Sequence, residues 1–125
     1  MKRREKRAAL LLATIVLTTR AEAVDCRRDL RAEAWLAARE AVWVRHLAEK
    51  PGFEPSGFLR VCRETGGGPY LDGEDIHLPP LPSDEERLSL AHEYLHRVFR
   101  SHPVSRNEVW IERTARSLVL GEEEP

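Results

Sequence analysis

The chain has 125 residues, with 20 Lys/Arg against 21 Asp/Glu and a formal net charge of −1. That length allows one domain. Setting aside residues 1–23, which hold six of the basic and two of the acidic residues, leaves 14 and 19, near −5, and so excludes the electrostatic footprint of a nucleic-acid binder.

The first 23 residues read as a secretory signal peptide. MKRREKR is a basic head, AALLLATIVLTT a short apolar run, and Ala21-x-Ala23 a small-x-small cleavage pattern. The run is shorter than the roughly 20 residues a membrane span needs. The expectation is a mature single domain over 24–125, secreted or periplasmic, with no stable membrane anchor after cleavage. Asp25 precedes Cys26 where a lipoprotein would carry a small residue.

Cys26 and Cys62 are the two cysteines. In an exported chain an even, minimal count predicts one disulfide. Neither has a CxxC partner, which weighs against a Cys/His metal site.

CRRDLRAEAWLAAREAVWVRHLAEK predicts a long helix, with Trp35, Ala38, Val42 and His46 at helical spacing and Pro51-Gly52 as its stop. His46 reads as a surface or capping residue. GFLRVCRE alternates and suits a strand. TGGGPYLDG is a glycine-rich turn or mobile loop without the ending of a phosphate loop. EDIHLPPLP predicts a short strand whose prolines suit a sheet edge, with His77 at the surface. SDEERLSLAHEYLHRVFRSH is the best helix, with Ser83 and Glu86 as a capping box and Pro103 as its end. NEVWIERTARSLVL predicts a last helix, capped by Asn107 and stopped by Gly121, with Val109, Ile111, Leu118 and Val119 as its apolar positions. The order predicts an α+β domain with a small antiparallel sheet and the last two helices packed antiparallel.

The motif His92-Glu93-Tyr94-Leu95-His96 falls on the best helix. At 100° per residue from Leu88, the stripe of Leu95, Phe99, Ala91 and Val98 lies near zero, His92 and His96 near 40° and 80°, and Glu93 near 140°. Two imidazoles one turn apart can share a cation, and Glu93 can reach a water there without being a ligand. Zinc with three protein ligands keeps a fourth position open, and a neighbouring carboxylate can take and pass on a proton.

Three candidates for the third ligand follow. His102 is in the register of the metzincin motif, H-E-x-x-H-x-x-G-x-x-H, but Phe99 stands where that motif has glycine. Phe99 belongs to the buried stripe, so the helix is expected to run on and turn His102 away. Glu108 and Glu112 sit on the next helix. Glu108 is the preferred ligand, with Glu112 as its orienting neighbour, an alternative ligand, or a solvated partner of Arg116. No tyrosine follows Tyr94, and Arg106, Arg113 and His102 stay open as partners for a substrate oxyanion.

HEYLH followed by NEVWIE resembles the gluzincin group of zinc metallopeptidases. That resemblance implies a minimal zincin-like fold, Zn2+ held by His92, His96 and Glu108, an acid one turn on in support, Glu93 as general base, and a peptide or protein substrate. In zincins an edge strand ahead of the motif helix binds the substrate backbone, and GEDIHLPP stands in that place. PYLDGEDIHLPPLPSDEERLSLAHEYLHRVFRSHP is also similar to an uncharacterised family of bacterial secreted proteins, some encoded beside alpha-2-macroglobulin-like proteins, which implies export. The leading expectation is an exported zinc-dependent peptidase. The alternative is a non-catalytic zincin-like binding or structural module of the cell envelope, with a protein partner there.

Overall fold

The computed structural model describes residues 26–121; the expected signal peptide lies outside them. The elements in chain order are α1 (Leu30–Leu47), β1 (Arg60–Arg63), β2 (Tyr70–Asp72), β3 (Asp75–Leu78), α2 (Ser83–Val98), a 3-10 turn (Pro103–Arg106) and α3 (Glu108–Leu120). This is the expected α+β class. Among the described residues no helix is long and apolar enough to cross a membrane.

Helix α1 starts at Asp29, whose carboxylate accepts from the Ala32 amide at 3.0 Å. Its buried residues include Ala32, Leu36, Trp43 and Leu47. The expected stripe differs: Val42 is exposed and Trp35 half-buried. The buried face also carries Glu33, whose carboxylate accepts from the Arg28 guanidinium at 2.5 and 3.0 Å and from the Val61 amide at 3.1 Å. A buried carboxylate is tolerated there because each oxygen has a donor.

The sheet is mixed, in the order β1-β3-β2. This corrects the antiparallel sheet expected from sequence. Strands β2 and β3 form an antiparallel hairpin with Asp72 opposite Asp75. Gly73 opens its two-residue loop at φ +61°, the conformation for which such hairpins favour glycine. β1 pairs in parallel with the other side of β3. So β3 is the central strand and not an edge, and the glycine-rich stretch read as loop supplies the edge strand β2. The prolines that suggested an edge, Pro79 and Pro80, lie past the last β3 residue and end the strand without interrupting its ladder. His77 is buried, 9% exposed, with Nδ1 2.5 Å from Glu64 Oε1 and its ring stacked on Tyr70 at 4.3 Å.

Beyond β1 the N-terminal segment adds an antiparallel bridge between Arg28 and Cys62. There Cys26 and Cys62 form the expected disulfide, with S–S 2.00 Å and Cα–Cα 4.9 Å.

Helix α2 crosses the core. Leu90, Ala91, Tyr94, Leu95 and Val98 are buried. The capping box at its start is not formed: Pro82 is the N-cap, and no side chain caps the helix. Glu86 instead pairs with Arg63, which also binds Asp29 at 2.7 Å and so ties β1 to the starts of both helices. The far end of α2 is tied to the β2–β3 turn by Arg97, whose Nε lies 2.8 Å from both oxygens of Glu74.

Contrary to the expectation that it runs on through Phe99, the helix ends at Val98 with Phe99 as its C-cap. The Phe99 ring stays buried between Phe53 and Trp110, at 5.8 and 5.2 Å between centroids. Burial of the ring holds the side chain in place while the backbone turns. The 3-10 turn follows, and Asn107 caps α3 by accepting from the Trp110 amide at 3.1 Å. Ile111, Thr114 and Ala115 are the buried residues of α3, whereas Val109 is 60% exposed. Gly121 closes the helix at φ +71°. Contacts run in opposite order along the two helices, His96 meeting Glu108 and His92 meeting Glu112. That is the antiparallel pairing expected.

Candidate metal centre

His92 and His96 lie one turn apart on α2, with their Nε2 atoms 3.3 Å from each other. The short connector brings the first turn of α3 over them. Glu108 Oε2 is 3.0 Å from His92 Nε2, and Glu108 Oε1 is 3.0 Å from His96 Nε2. These three residues each offer a ligand atom within 4.8 Å of the others. A tetrahedral zinc at 2.0–2.1 Å from each ligand needs ligand atoms about 3.3 Å apart. The donor set, two imidazoles and a carboxylate, is also one that holds catalytic zinc. The residues therefore fit the ion.

The outer nitrogens of both rings have partners. Glu112 Oε2 is 3.1 Å from His92 Nδ1. Ser105 Oγ is 3.4 Å from His96 Nδ1 and donates to the His96 carbonyl at 3.4 Å. A carboxylate or hydroxyl accepting at Nδ1 fixes the tautomer that leaves the Nε2 lone pair for a cation. Glu112 thus stands where the preferred expectation put the orienting neighbour.

Glu93 lies beside the trio, its Oε2 4.0 Å from His92 Nε2, and is 8% exposed. Burial pushes its carboxyl above the usual carboxylate range; His92 and His96 oppose that shift and Glu108 adds to it. A carboxyl held near a cation but outside its ligand set can exchange a proton with a water there.

His102 is elsewhere. Its Nδ1 accepts from the Val104 amide at 3.1 Å, and its side chain packs against Gly52, where an added Cβ would fall 2.4 Å from the His102 Cβ. Gly52 has φ +88°, so both its conformation and this close approach require glycine. The conclusion that His102 turns away survives, but through a helix end and a cap rather than a continuing helix. A second cluster, Cys62, Asp75 and His77, is no metal site, because the Cys62 sulfur is in the disulfide and cannot offer a thiolate.

A cleft of about 450 Å³ opens at His92, Glu93 and Glu112 and extends past Leu88 and Ser89 to Glu85, with Pro69, Leu81 and Arg116 on its other sides. Arg106, Arg113 and His102 are not among the lining residues. Ser105 escaped the sequence reading, and Arg116 entered it only as a partner of a solvated Glu112. Ser105 carries no signal, since its role depends on how the connector folds back. Arg116 carries one: it is four residues after Glu112 and eight after Glu108, on the same face of a helix.

Comparison with known proteins adds a family. Residues 2–104 match the profile described as "Predicted secreted protein (DUF2300)". The chain is 33% identical over 97 residues to the uncharacterized protein YfaQ of Escherichia coli (strain K12), a stretch covering 76% of this chain and 18% of that protein. This chain therefore spans only a small part of that relative's length. No solved structure matches.

Proposed function

This chain belongs to that family of predicted secreted proteins, and from that premise we propose that it is an exported zinc-dependent peptidase. Its localisation, secreted or periplasmic, follows from the family. The observation that carries the proposal is the convergence of His92, His96 and Glu108 within 3.0–3.3 Å of one another, with Glu93 buried beside them.

His92, His96 and Glu108 would hold the ion. Zinc held there would supply Lewis-acid chemistry, polarising a carbonyl and making a nearby water more acidic. Glu93 does the proton work: its carboxylate takes a proton from the attacking water and delivers it to the leaving nitrogen. Glu112 and Ser105 hold the two imidazoles in orientation. Leu81 and Leu88 give the cleft an apolar wall. Pro69, which leads into edge strand β2, lines the same cleft. In this reading β2, and not the central β3, is the strand on which an extended substrate would pair.

The test is metal content and chelator sensitivity together. Purified protein should bind one zinc per chain, and should cleave an unfolded protein such as reduced, alkylated lactalbumin until a chelator stops it. One zinc with no cleavage of any unfolded substrate would favour the non-catalytic module, and absence of zinc binding would overturn the peptidase reading.

A further inference from the structure

We propose that opening the Cys26–Cys62 disulfide creates a second cation site, in which Cys62, Asp75 and His77, joined by Cys26, hold a thiolate-preferring divalent ion such as zinc. The disulfide acts as a lock on this site, closed while the bond stands and open in the thiol form. The inference is independent of the peptidase reading.

Three observations lead there. First, the donors already converge. The Cys62 sulfur, a carboxylate oxygen of Asp75 and a ring nitrogen of His77 lie within 4.8 Å of one another. A tetrahedral zinc with thiolate, imidazole and carboxylate ligands needs donor atoms roughly 3.3–3.8 Å apart, a change within reach of side-chain rotation. Cys26 is bonded to Cys62, so its sulfur stands beside the trio as a fourth donor.

Second, the backbone that carries these donors is held by hydrogen bonds as well as by the disulfide. The ladder between β1 and β3 pairs Cys62 with His77. Asp75 lies two residues before His77 on the same strand, so the two side chains share one face of the sheet. The segment of Cys26 is tied to β1 by the Arg28–Cys62 bridge. The Arg63 amide donates to the Arg27 carbonyl and the Asp29 amide to the Val61 carbonyl, each at 2.8 Å. These ties keep the two sulfurs neighbours once the bond between them is opened.

Third, the ligands have outer partners. Glu64 Oε1 is 2.5 Å from His77 Nδ1, and the ring is stacked on Tyr70. Both contacts fix the ring, and with Glu64 on Nδ1 the second nitrogen is the one left for an ion. The Asp75 carboxylate accepts from the Arg60 guanidinium at 2.6 and 2.7 Å. Each oxygen keeps a further lone pair, so Asp75 can bind an ion while Arg60 holds it in place. Cys62 and His77 are buried, and Cys26 and Asp75 are half-buried, so an ion enters from the side of the last two.

The chemistry balances with a dithiol as reductant. Its two electrons pass to the disulfide, the S–S bond breaks, two thiols form on the chain, and the dithiol closes to its own disulfide. Zinc then displaces the two thiol protons. Two thiolates, an imidazole and a carboxylate form a donor set that suits zinc over harder ions such as magnesium or calcium. A disulfide oxidant runs the reverse: it takes two electrons from the thiolates, the bond re-forms, and the ion is released. An exported chain meets both conditions, because it is made where thiols are kept reduced and delivered where disulfides persist.

The experiment compares oxidised protein with protein reduced by a phosphine, titrated with Co2+ and then Zn2+. Reduced protein should bind one ion more per chain than oxidised protein. Its cobalt form should show a thiolate-to-cobalt charge-transfer band, which a site of two imidazoles and a carboxylate lacks. Oxidised glutathione should release that ion, one for each disulfide formed. Glu64→Ala should weaken the extra ion about 10- to 100-fold, the usual cost of an outer partner, and His77→Ala should weaken it further. If the reduced protein is unfolded without metal, zinc should refold it, since binding to the folded form alone stabilises that form. If His77→Ala fails to fold, Asp75→Asn carries the test, with loss of affinity expected. Equal stoichiometry in the two redox forms would overturn the proposal. An extra ion held with unchanged affinity in His77→Ala and Asp75→Asn would also overturn it, since the cysteines alone would then hold the ion.

Discussion

Glu112 Oε2 lies 3.1 Å from His92 Nδ1, the ring nitrogen opposite the one that meets Glu108. One carboxylate of α3 thus faces the inner nitrogen of His92 and another, one turn on, holds the outer one. The arrangement predicts that Glu112→Ala leaves the fold intact but weakens zinc binding about 10- to 100-fold, the usual cost of losing such a partner. Competition against a chromophoric chelator measures it. An unchanged affinity would show that the tautomer of His92 is set by something else.

The roles of Glu108 and His102 separate in the same assay. Glu108→Ala removes a ligand atom 3.0 Å from each imidazole and should abolish stoichiometric zinc binding. His102→Ala should keep the zinc and lower stability instead, because it deletes the acceptor for the Val104 amide and the contact with Gly52. Retention of zinc in Glu108→Ala with loss in His102→Ala would mean that the metzincin-like register is the correct one.

The disulfide closes a separation of 36 residues between the start of the described chain and β1. Loop entropy alone makes such a bridge worth about 3–4 kcal/mol. Denaturant unfolding of oxidised protein against the Cys26→Ser/Cys62→Ser double variant should show a loss of that size. A difference under about 1 kcal/mol would mean that the reduced chain keeps this region closed.

Acid should loosen the same corner. The Ala32 amide, followed by Arg63, holds the Asp29 carboxyl below its usual range; Arg28 does the same for Glu33, and Arg60 for Asp75. Each folded state binds its proton more weakly than the unfolded chain does. The stabilisation is therefore complete above the unfolded values near pH 4 to 4.5, and is lost as pH falls through the lower folded values. Melting temperature should hold between about pH 5 and 7 and decline below about pH 4, less steeply in Glu33→Gln. A flat profile down to pH 2 would show that these pairs contribute nothing.

The features legible in the sequence were those set by local chemistry. Asn107 and Gly121 act as cap and stop because their side chain and backbone meet needs within one turn of helix. The His92–His96 pair follows from helical periodicity, and the Cys26–Cys62 bridge from count and compartment. The illegible features depended on distant partners. Ser83 and Glu86 spell a capping box, but Arg63 on β1 takes the Glu86 carboxylate. Phe99 was correctly read as core, yet its ring is held by Phe53 and Trp110 while its backbone ends the helix. Pro79 and Pro80 suggested an edge, but strand order is set by what pairs beyond Gly73 and by the parallel return of β1. Glu108 was reachable because two antiparallel helices with a short connector leave few positions opposite the histidine pair. Ser105 was not, because it lies in the connector itself.

The most direct test of the peptidase account compares wild type with Glu93→Gln at matched zinc content, using chelator-sensitive hydrolysis of an unfolded protein. The substitution keeps the shape of a residue that is not among the three proposed ligands and removes its basicity. The account predicts equal zinc, an equal melting temperature and a fall in hydrolysis of about 100-fold or more. Loss of zinc in Glu93→Gln would make Glu93 a ligand, and hydrolysis unchanged in the variant would contradict its role as the proton carrier and with it the account.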